Sequence, residues 1–307
     1  MKILAQAIQE WMEKYKRNSV KPTTYDRLET SFETLKNYRI AHMGILEITS
    51  EDLQDFINTM VEDGYALTTI KKQYHLVTGY LKYANTEGII PKAIFNNVKL
   101  PKQTAVKKKK REVLTYSKKE QVLLRRIFQT SERTGYGAAL LMMETGLRVG
   151  ECLALTWGDI QWERRAVSVN KTLIRLTNRR KMEVQDGAKS YTSNRVVPLN
   201  GDALRLLEEL YGRTKNENGY IFADEDGNMP ISYEALRYQI QCACSEANVP
   251  YLGQHVFRHT FATNCYYRGC NVKILSKLLG HSDVSITYNV YIHLFGDALE
   301  EMRSVVG

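Results

Sequence analysis

The sequence predicts an α+β fold in two parts: a four-helix amino-terminal unit, then a mainly helical unit that carries one small antiparallel sheet. Three observations carry this reading. Up to about Leu100, apolar positions recur at helical spacing and hardly ever alternate. Between Pro101 and Glu112 that periodicity stops, and five consecutive basic residues intervene: Lys107, Lys108, Lys109, Lys110 and Arg111. Helical patterns then return, broken from Trp162 to Leu199 by alternation that includes AVSVN and RVVPL. A chain of 307 residues suffices for two domains, here 1–100 and 112–307 with 101–111 as linker, and 43% hydrophobic residues can build both cores.

In chain order, MKILAQAIQEWMEKYKRN is amphipathic and reads as an opening helix rather than a signal peptide. After Pro22, Thr23 or Thr24 can cap a helix with Tyr25, Leu28, Phe32 and Leu35 on one stripe. Ser50 can cap the next, which carries Leu53, Phe56, Ile57 and Met60 to a stop at Gly64. Thr68 or Thr69 opens a fourth, with Ile70, Tyr74, Val77 and Leu81, ended by Gly88 and Pro91. Beyond the linker, Ser117 and Glu120 form a capping-box pattern ahead of QVLLRRIFQ. A further helix follows Gly135, and Gly146 breaks it just before Arg148. VGECLALTW then makes a short helix with Arg148 at its amino-terminal end, where free N–H groups favour an anion. After the sheet, the chain from Gly201 is helical again apart from a turn at Asp224 to Gly227.

The net charge of +9 and isoelectric point near 9.1 point to a polyanionic partner, with a solvated basic face as the alternative. The basic linker reads as a self-repelling tether or as a strap along a DNA backbone. The strap is favoured because it joins two regions that would grip the same duplex. No apolar run approaches the roughly 20 residues of a membrane span, so a cytosolic protein without membrane contact is expected. Five cysteines, Cys152, Cys242, Cys244, Cys265 and Cys270, show no paired zinc-ligand spacing, and their odd number suggests free thiols. A metal site from Cys265, Cys270, His255 and His259 is disfavoured on the same ground.

The chemistry concentrates between His255 and His293, read as HVFRHTFAT and LLGHSDVSITYNVYIH. Positions three apart share a helix face, so His255 and Arg258 can reach one anionic group together. A guanidinium binds two phosphate oxygens, an imidazole donates to a third atom or passes a proton, and a tyrosine oxygen can attack phosphorus. His281 and Tyr291 complete that set. Upstream, TGLRVGE supplies Arg148, with Glu151 one turn later to orient its guanidinium, and GAKSYTSNRVVPL supplies Lys189. Tyr288 competes with Tyr291 as nucleophile, and Lys171 and Lys181 compete with Lys189.

In the order Arg148, Lys189, His255 with Arg258, His281 and Tyr291, these motifs resemble the tyrosine recombinase, or phage and conjugative-transposon integrase, family. The resemblance is strong from about Val113 to Phe295 and rests on position and shape alone before that. It selects Tyr291, because the family places its nucleophile just ahead of a small residue and a histidine after a threonine-bearing helix, and Thr287 to His293 reads TYNVYIH, leaving Tyr288 as a neighbour expected to pack. It selects Lys189 because that residue precedes Ser193-Asn194-Arg195-Val196-Val197-Pro198-Leu199. His259 and His293 lie outside the family's catalytic pattern, and Phe257 stands where leucine is commoner.

The resemblance implies a SAM-like core-site-binding domain and a catalytic domain that together form a C-shaped clamp on double-stranded DNA. It implies strand cleavage by Tyr291 through a 3′-phosphotyrosyl link, with no metal or nucleotide cofactor, and integration or excision of a mobile element. It further implies a tetramer on DNA, joined through the apolar tail after Tyr291, with an excisionase or a DNA-bending protein as accessory partner. The chain begins too close to the helical domain to hold an arm-binding domain, so a simpler recombinase or a truncated one is expected. A bacterial cytosol or nucleoid location follows. Two other readings are a catalytically silent DNA-binding regulator, which the full motif set opposes, and an enzyme that relaxes supercoils like a type IB topoisomerase.

Overall fold

The computed structural model describes residues 2–102, 114–130, 132–176, 181–186, 194–214 and 216–291, with 289–291 as backbone only. The basic run Lys107–Arg111, Lys189 and the segment after Tyr291 lie outside the described residues. Two compact units are present: Met1–Arg111 with Arg175–Lys181, and Glu112–Ile174 with Met182–Gly307.

In the first unit, α1 (Leu4–Trp11), α2 (Pro22–Leu35), α3 (Ser50–Glu62) and α4 (Leu67–Thr86) turn their apolar stripes to one core. Leu53, Ile57 and Met60 of α3 and Ile70, Val77 and Leu81 of α4 are wholly shielded there. The expected helix starts need correction. Pro22 is itself the first residue of α2, because its fixed φ and missing N–H suit that position, so neither Thr23 nor Thr24 caps it. Thr49, rather than Ser50, caps α3: its Oγ1 accepts from the Asp52 N–H at 3.2 Å, and Asp52 Oδ2 accepts from the Thr49 N–H at 3.0 Å. The fourth helix opens at Leu67, ahead of Thr68 and Thr69, as packing draws Leu67 into the first turn.

The second unit is built around α6 (Thr134–Thr145), in which every residue from Gly135 onward is buried. Four helices pack on it: α5 (Lys118–Thr130), α8 (Gly201–Arg213), α9 (Tyr233–Glu246) and α10 (Val256–Tyr267). The Ser117 and Glu120 capping box forms as the spacing predicts, the Ser117 N–H donating to Glu120 Oε2 at 2.7 Å. Three shorter helices, α7 (Val149–Leu153), α11 (Val272–Leu279) and α12 (Val284–Tyr291), follow Arg148, precede His281 and lead to Tyr291 respectively.

Among the described residues, the expected single sheet is two. β1 (Ile160–Gln161), β2 (Ala166–Val169) and β5 (Arg195–Pro198) form an antiparallel sheet in the order β1-β2-β5, with Val167 opposite Val197 and Val169 opposite Arg195. β3 (Lys171–Leu176) and β4 (Lys181–Asp186) form a separate pair. The break falls at Asn170, whose Nδ2 donates to Asp159 Oδ1 at 3.2 Å. Alternation records only which residues share a face, so it does not distinguish one sheet from two.

Candidate active site

Two helix ends seat the two arginines. Glycines in the left-handed region close α6 and α11: Gly146 at φ +68° and Gly280 at φ +66°. Both positions are also too crowded for a side chain. A Cβ on Gly146 would stand 2.3 Å from Phe261 Cδ1, and one on Gly280 would stand 2.8 Å from Arg195 Nη1. Carbonyls at these ends have no helical partner and mark the negative ends of the helix dipoles. Arg258 Nη1 donates to the Gly146 carbonyl at 2.9 Å and Nη2 to the Leu279 carbonyl at 2.7 Å. Arg148 Nη2 donates to the Gly280 carbonyl at 2.8 Å. Thus two cationic side chains from distant segments are fixed side by side.

Arg148 caps α7, and Glu151 in the first turn binds it twice: its Oε2 accepts from the backbone N–H at 2.9 Å, its Oε1 from Nη1 at 2.7 Å. The same carboxylate accepts from Arg195 Nη1 at 3.1 Å and Nη2 at 2.8 Å, while Arg195 Nε donates to the Leu278 carbonyl at 2.6 Å. Burial alone would raise the Glu151 carboxyl; the Arg195 guanidinium, then that of Arg148, outweigh it and hold the group down to about 2. Because Arg195 takes half of this buried carboxylate, Arg148 keeps net positive character toward a ligand. Among the described residues, protein acceptors engage two of the five guanidinium N–H groups of Arg148.

His281 follows Gly280 directly, and its Nε2 lies 2.9 Å from Arg258 Nη2. Its Nδ1 lies 2.8 Å from Oγ1 of the wholly buried Thr287 on α12. Loss of solvation first, then the guanidiniums of Arg258, Arg148 and Arg195, hold the imidazole down to about 4. His255 stands at the amino-terminal end of α10, open to solvent on one side and crowded on the other. That crowding, followed by Arg258 and Arg148, lowers it as well. His259, with its ring centroid 6.0 Å from that of His255, is held down to about 4 by burial and then by His255 and Arg258. The histidines are therefore neutral at neutral pH, and an arriving phosphate would offset the guanidinium field and make them more basic.

Of the six residues expected to act, Arg148, His255, Arg258 and His281 come together, with Glu151 beside them. The backbone of Tyr291 ends α12, one turn beyond Thr287. Lys189 and the basic run fall outside the described residues. Its rival Lys171 is committed elsewhere, with Nζ 2.6 Å from Asp159 Oδ2 and 2.9 Å from Thr156 Oγ1. The expectation that Tyr288 packs is corrected: it is 46% exposed, because the adjacent Thr287 faces inward and the next position turns about 100° away. Two residues escaped the sequence reading. Arg195 was signalled by parity, since it shares a strand face with the fully buried Val197. Thr287 entered that reading only as the threonine of the helix that leads to Tyr291, with no role of its own.

The model of the phage integrase family matches residues 111–297, and that of the SAM-like amino-terminal domain of phage integrases matches residues 3–61. The chain belongs to the phage integrase family of tyrosine recombinases. A tyrosine recombinase XerC-like protein of Caldanaerobacter subterraneus subsp. tengcongensis is 30% identical over 95% of this chain and 79% of its own length. The Tn1549 transposon integrase in complex with a circular intermediate DNA superposes with a TM-score of 0.80 at 21% identity, covering 99% of this chain and 100% of the other. A λ integrase tetramer bound to a Holliday junction gives 0.63 at 16% identity over 92% of this chain and 76% of the other. As in that fold, this recombinase joins a SAM-like helical unit to a mostly helical one with small antiparallel sheets. It is a tyrosine-type site-specific recombinase. Among the described residues, no helix is long and apolar enough to cross a membrane.

Proposed function

We propose that this recombinase cleaves and rejoins double-stranded DNA at core recombination sites to integrate or excise a mobile element, with Tyr291 as nucleophile. The phenolic oxygen attacks the scissile phosphorus, the bond to the 5′ oxygen breaks, and a 3′-phosphotyrosyl link forms. Lys189 protonates the leaving 5′ oxygen, while the histidines accept the phenol proton or donate to the phosphate. Arg148 and Arg258 neutralise the non-bridging oxygens, where charge accumulates in the transition state. The 5′ hydroxyl of a partner strand then attacks the link and restores the tyrosine. The phosphodiester energy stays in covalent form, so the exchange calls for no nucleotide.

The observation that carries this reading is the pair of guanidiniums seated on the carbonyl ends of α6 and α11, with His281 against one of them. Holding two duplexes requires four protomers, in keeping with the λ integrase tetramer, and we assign the segment after Tyr291 to the contact between neighbours. The division into a DNA-gripping unit at 1–100, a basic strap at 101–111 and a catalytic unit at 112–307 belongs to the same proposal. So do accessory DNA-bending proteins and work at the bacterial nucleoid.

Tyr291→Phe should bind core-site DNA normally yet form no covalent adduct on a nicked suicide substrate, scored by denaturing gel. Loss of the adduct in Tyr288→Phe instead would move the nucleophile. Relaxation of a supercoiled plasmid without joining of two sites would point to a topoisomerase.

A further inference from the structure

His281 sits between two partners of different chemistry, and this settles where its proton lies. A guanidinium has N–H donors and no acceptor, so Arg258 Nη2, 2.9 Å away, requires a lone pair on His281 Nε2. The neutral ring then carries its proton on Nδ1, and Thr287 Oγ1, 2.8 Å from it, is the acceptor. Thr287 is fully buried and belongs to α12, four positions ahead of Tyr291 on the same helix face. We propose that Thr287 is a positioning residue for strand cleavage: its hydroxyl holds His281 in the Nδ1–H tautomer and ties that tautomer to the seating of the nucleophile's helix.

The arrangement works in both protonation states of the ring. Before DNA binds, Nε2 accepts from Arg258. Once a phosphate engages the guanidinium, Nε2 is released, and the added negative charge favours the imidazolium, which donates from Nε2 to a phosphate oxygen. Thr287 accepts from Nδ1–H throughout, so the ring need not flip between states. An acceptor on Nδ1 stabilises the imidazolium more than the neutral ring, since hydrogen bonds to charged groups are the stronger. The hydroxyl therefore raises the basicity of His281 at the moment the phosphate arrives.

This inference rests on the reading of His281 as part of the cleavage site, and two measurements separate the two. The first is the ¹⁵N chemical shifts of His281 in the DNA-free wild-type protein. They should report Nδ1 protonated and Nε2 bare at pH 7; the opposite tautomer overturns the proposal whatever the enzyme's activity. The second is single-turnover cleavage of a nicked core-site substrate by Thr287→Val and Thr287→Ser, with DNA binding measured in parallel. The valine variant should cleave at least about tenfold more slowly, the factor set by one ordinary buried hydrogen bond. Its histidine-dependent limb of the pH–rate profile should move to lower pH, and serine should restore both rate and profile. A valine variant with wild-type rate and profile, or a serine variant as slow as valine, removes the hydroxyl from the mechanism. If His281→Ala cleaves at the wild-type rate, the reading of the site itself fails instead.

Discussion

The two units bury different things. Among the described residues, the amino-terminal unit buries three polar or charged side chains, Asp26, Gln73 and Thr78, against ten in the second unit. The first rests on apolar helix faces such as Leu53, Ile57, Ile70 and Leu81, with lysines such as Lys71 and Lys72 left in water. The second takes Glu151 and Arg258 into its interior, where an unpartnered charge costs several kcal/mol. It does so only where partners converge: four hydrogen bonds onto the Glu151 carboxylate, and two helix-end carbonyls on Arg258. Buried charge that is this fully satisfied contributes little net stability. Its concentration beside two arginines and three histidines marks the place where the fold serves chemistry rather than itself.

The sharpest way to break this comparison is Arg195→Met. Arg195 and Glu151 are 7% and 5% exposed, so the carboxylate would lose half its partners inside the protein. A loss of about 3 kcal/mol is expected, or on the order of 10 °C in Tm. A variant that melts within a degree or two of wild type would show that this pair matters no more than a surface one.

The next effect should come from acid. His259 and His281 are each held down to about 4, so the unfolded chain binds their protons more readily than the folded one. Their contribution is complete above the unfolded value near 6.5 and is lost as pH falls toward 4. Glu151, held down to about 2, stays ionised in the folded protein, but the unfolded carboxyl takes up protons below about pH 5, so it adds to the decline only at the acid end of that window. Melting of the DNA-free protein should therefore decline from pH 6.5 to 4, and His259→Asn with His281→Asn should flatten the slope. A slope unchanged in the double variant would place the titrating groups elsewhere.

The smallest effect belongs to the first unit. Arg39 is 82% exposed and stands 3.7 Å from Asp52. Solvent and salt screen such a pair, so Arg39→Met should cost less than about 0.5 kcal/mol. Chemical denaturation of this variant beside Arg195→Met reads the contrast directly.

Much of the fold was legible because helical periodicity is written over neighbouring residues. The stripes of α3 and α4 and the capping box of Ser117 with Glu120 appear as the spacing predicts. What failed were choices between near-equivalent residues. Thr49 and Ser50 can both cap, and which one does depends on where packing ends the helix. The one-sheet expectation failed because alternation says nothing of which strand lies beside which. In the site, Arg148, His255, Arg258 and His281 were legible as motifs. Arg195 showed only as an inward-facing strand position, because its partner Glu151 lies 44 residues away, and Thr287 meets His281 only through the way α12 packs.

By itself, then, the sequence determined the helices, the position of the β region, and which residue types with phosphoryl-transfer chemistry occur and in what order. Only the tertiary structure decided what each of them touches. Arg148 meets the Gly280 carbonyl 132 residues away, Arg258 meets the Gly146 carbonyl 112 away, and Arg195 meets Glu151 44 away. Helical spacing is a local property of the backbone. A bond between such distant groups exists only once α6, α7, α11 and β5 have packed, because packing alone sets which helix ends and strand faces meet.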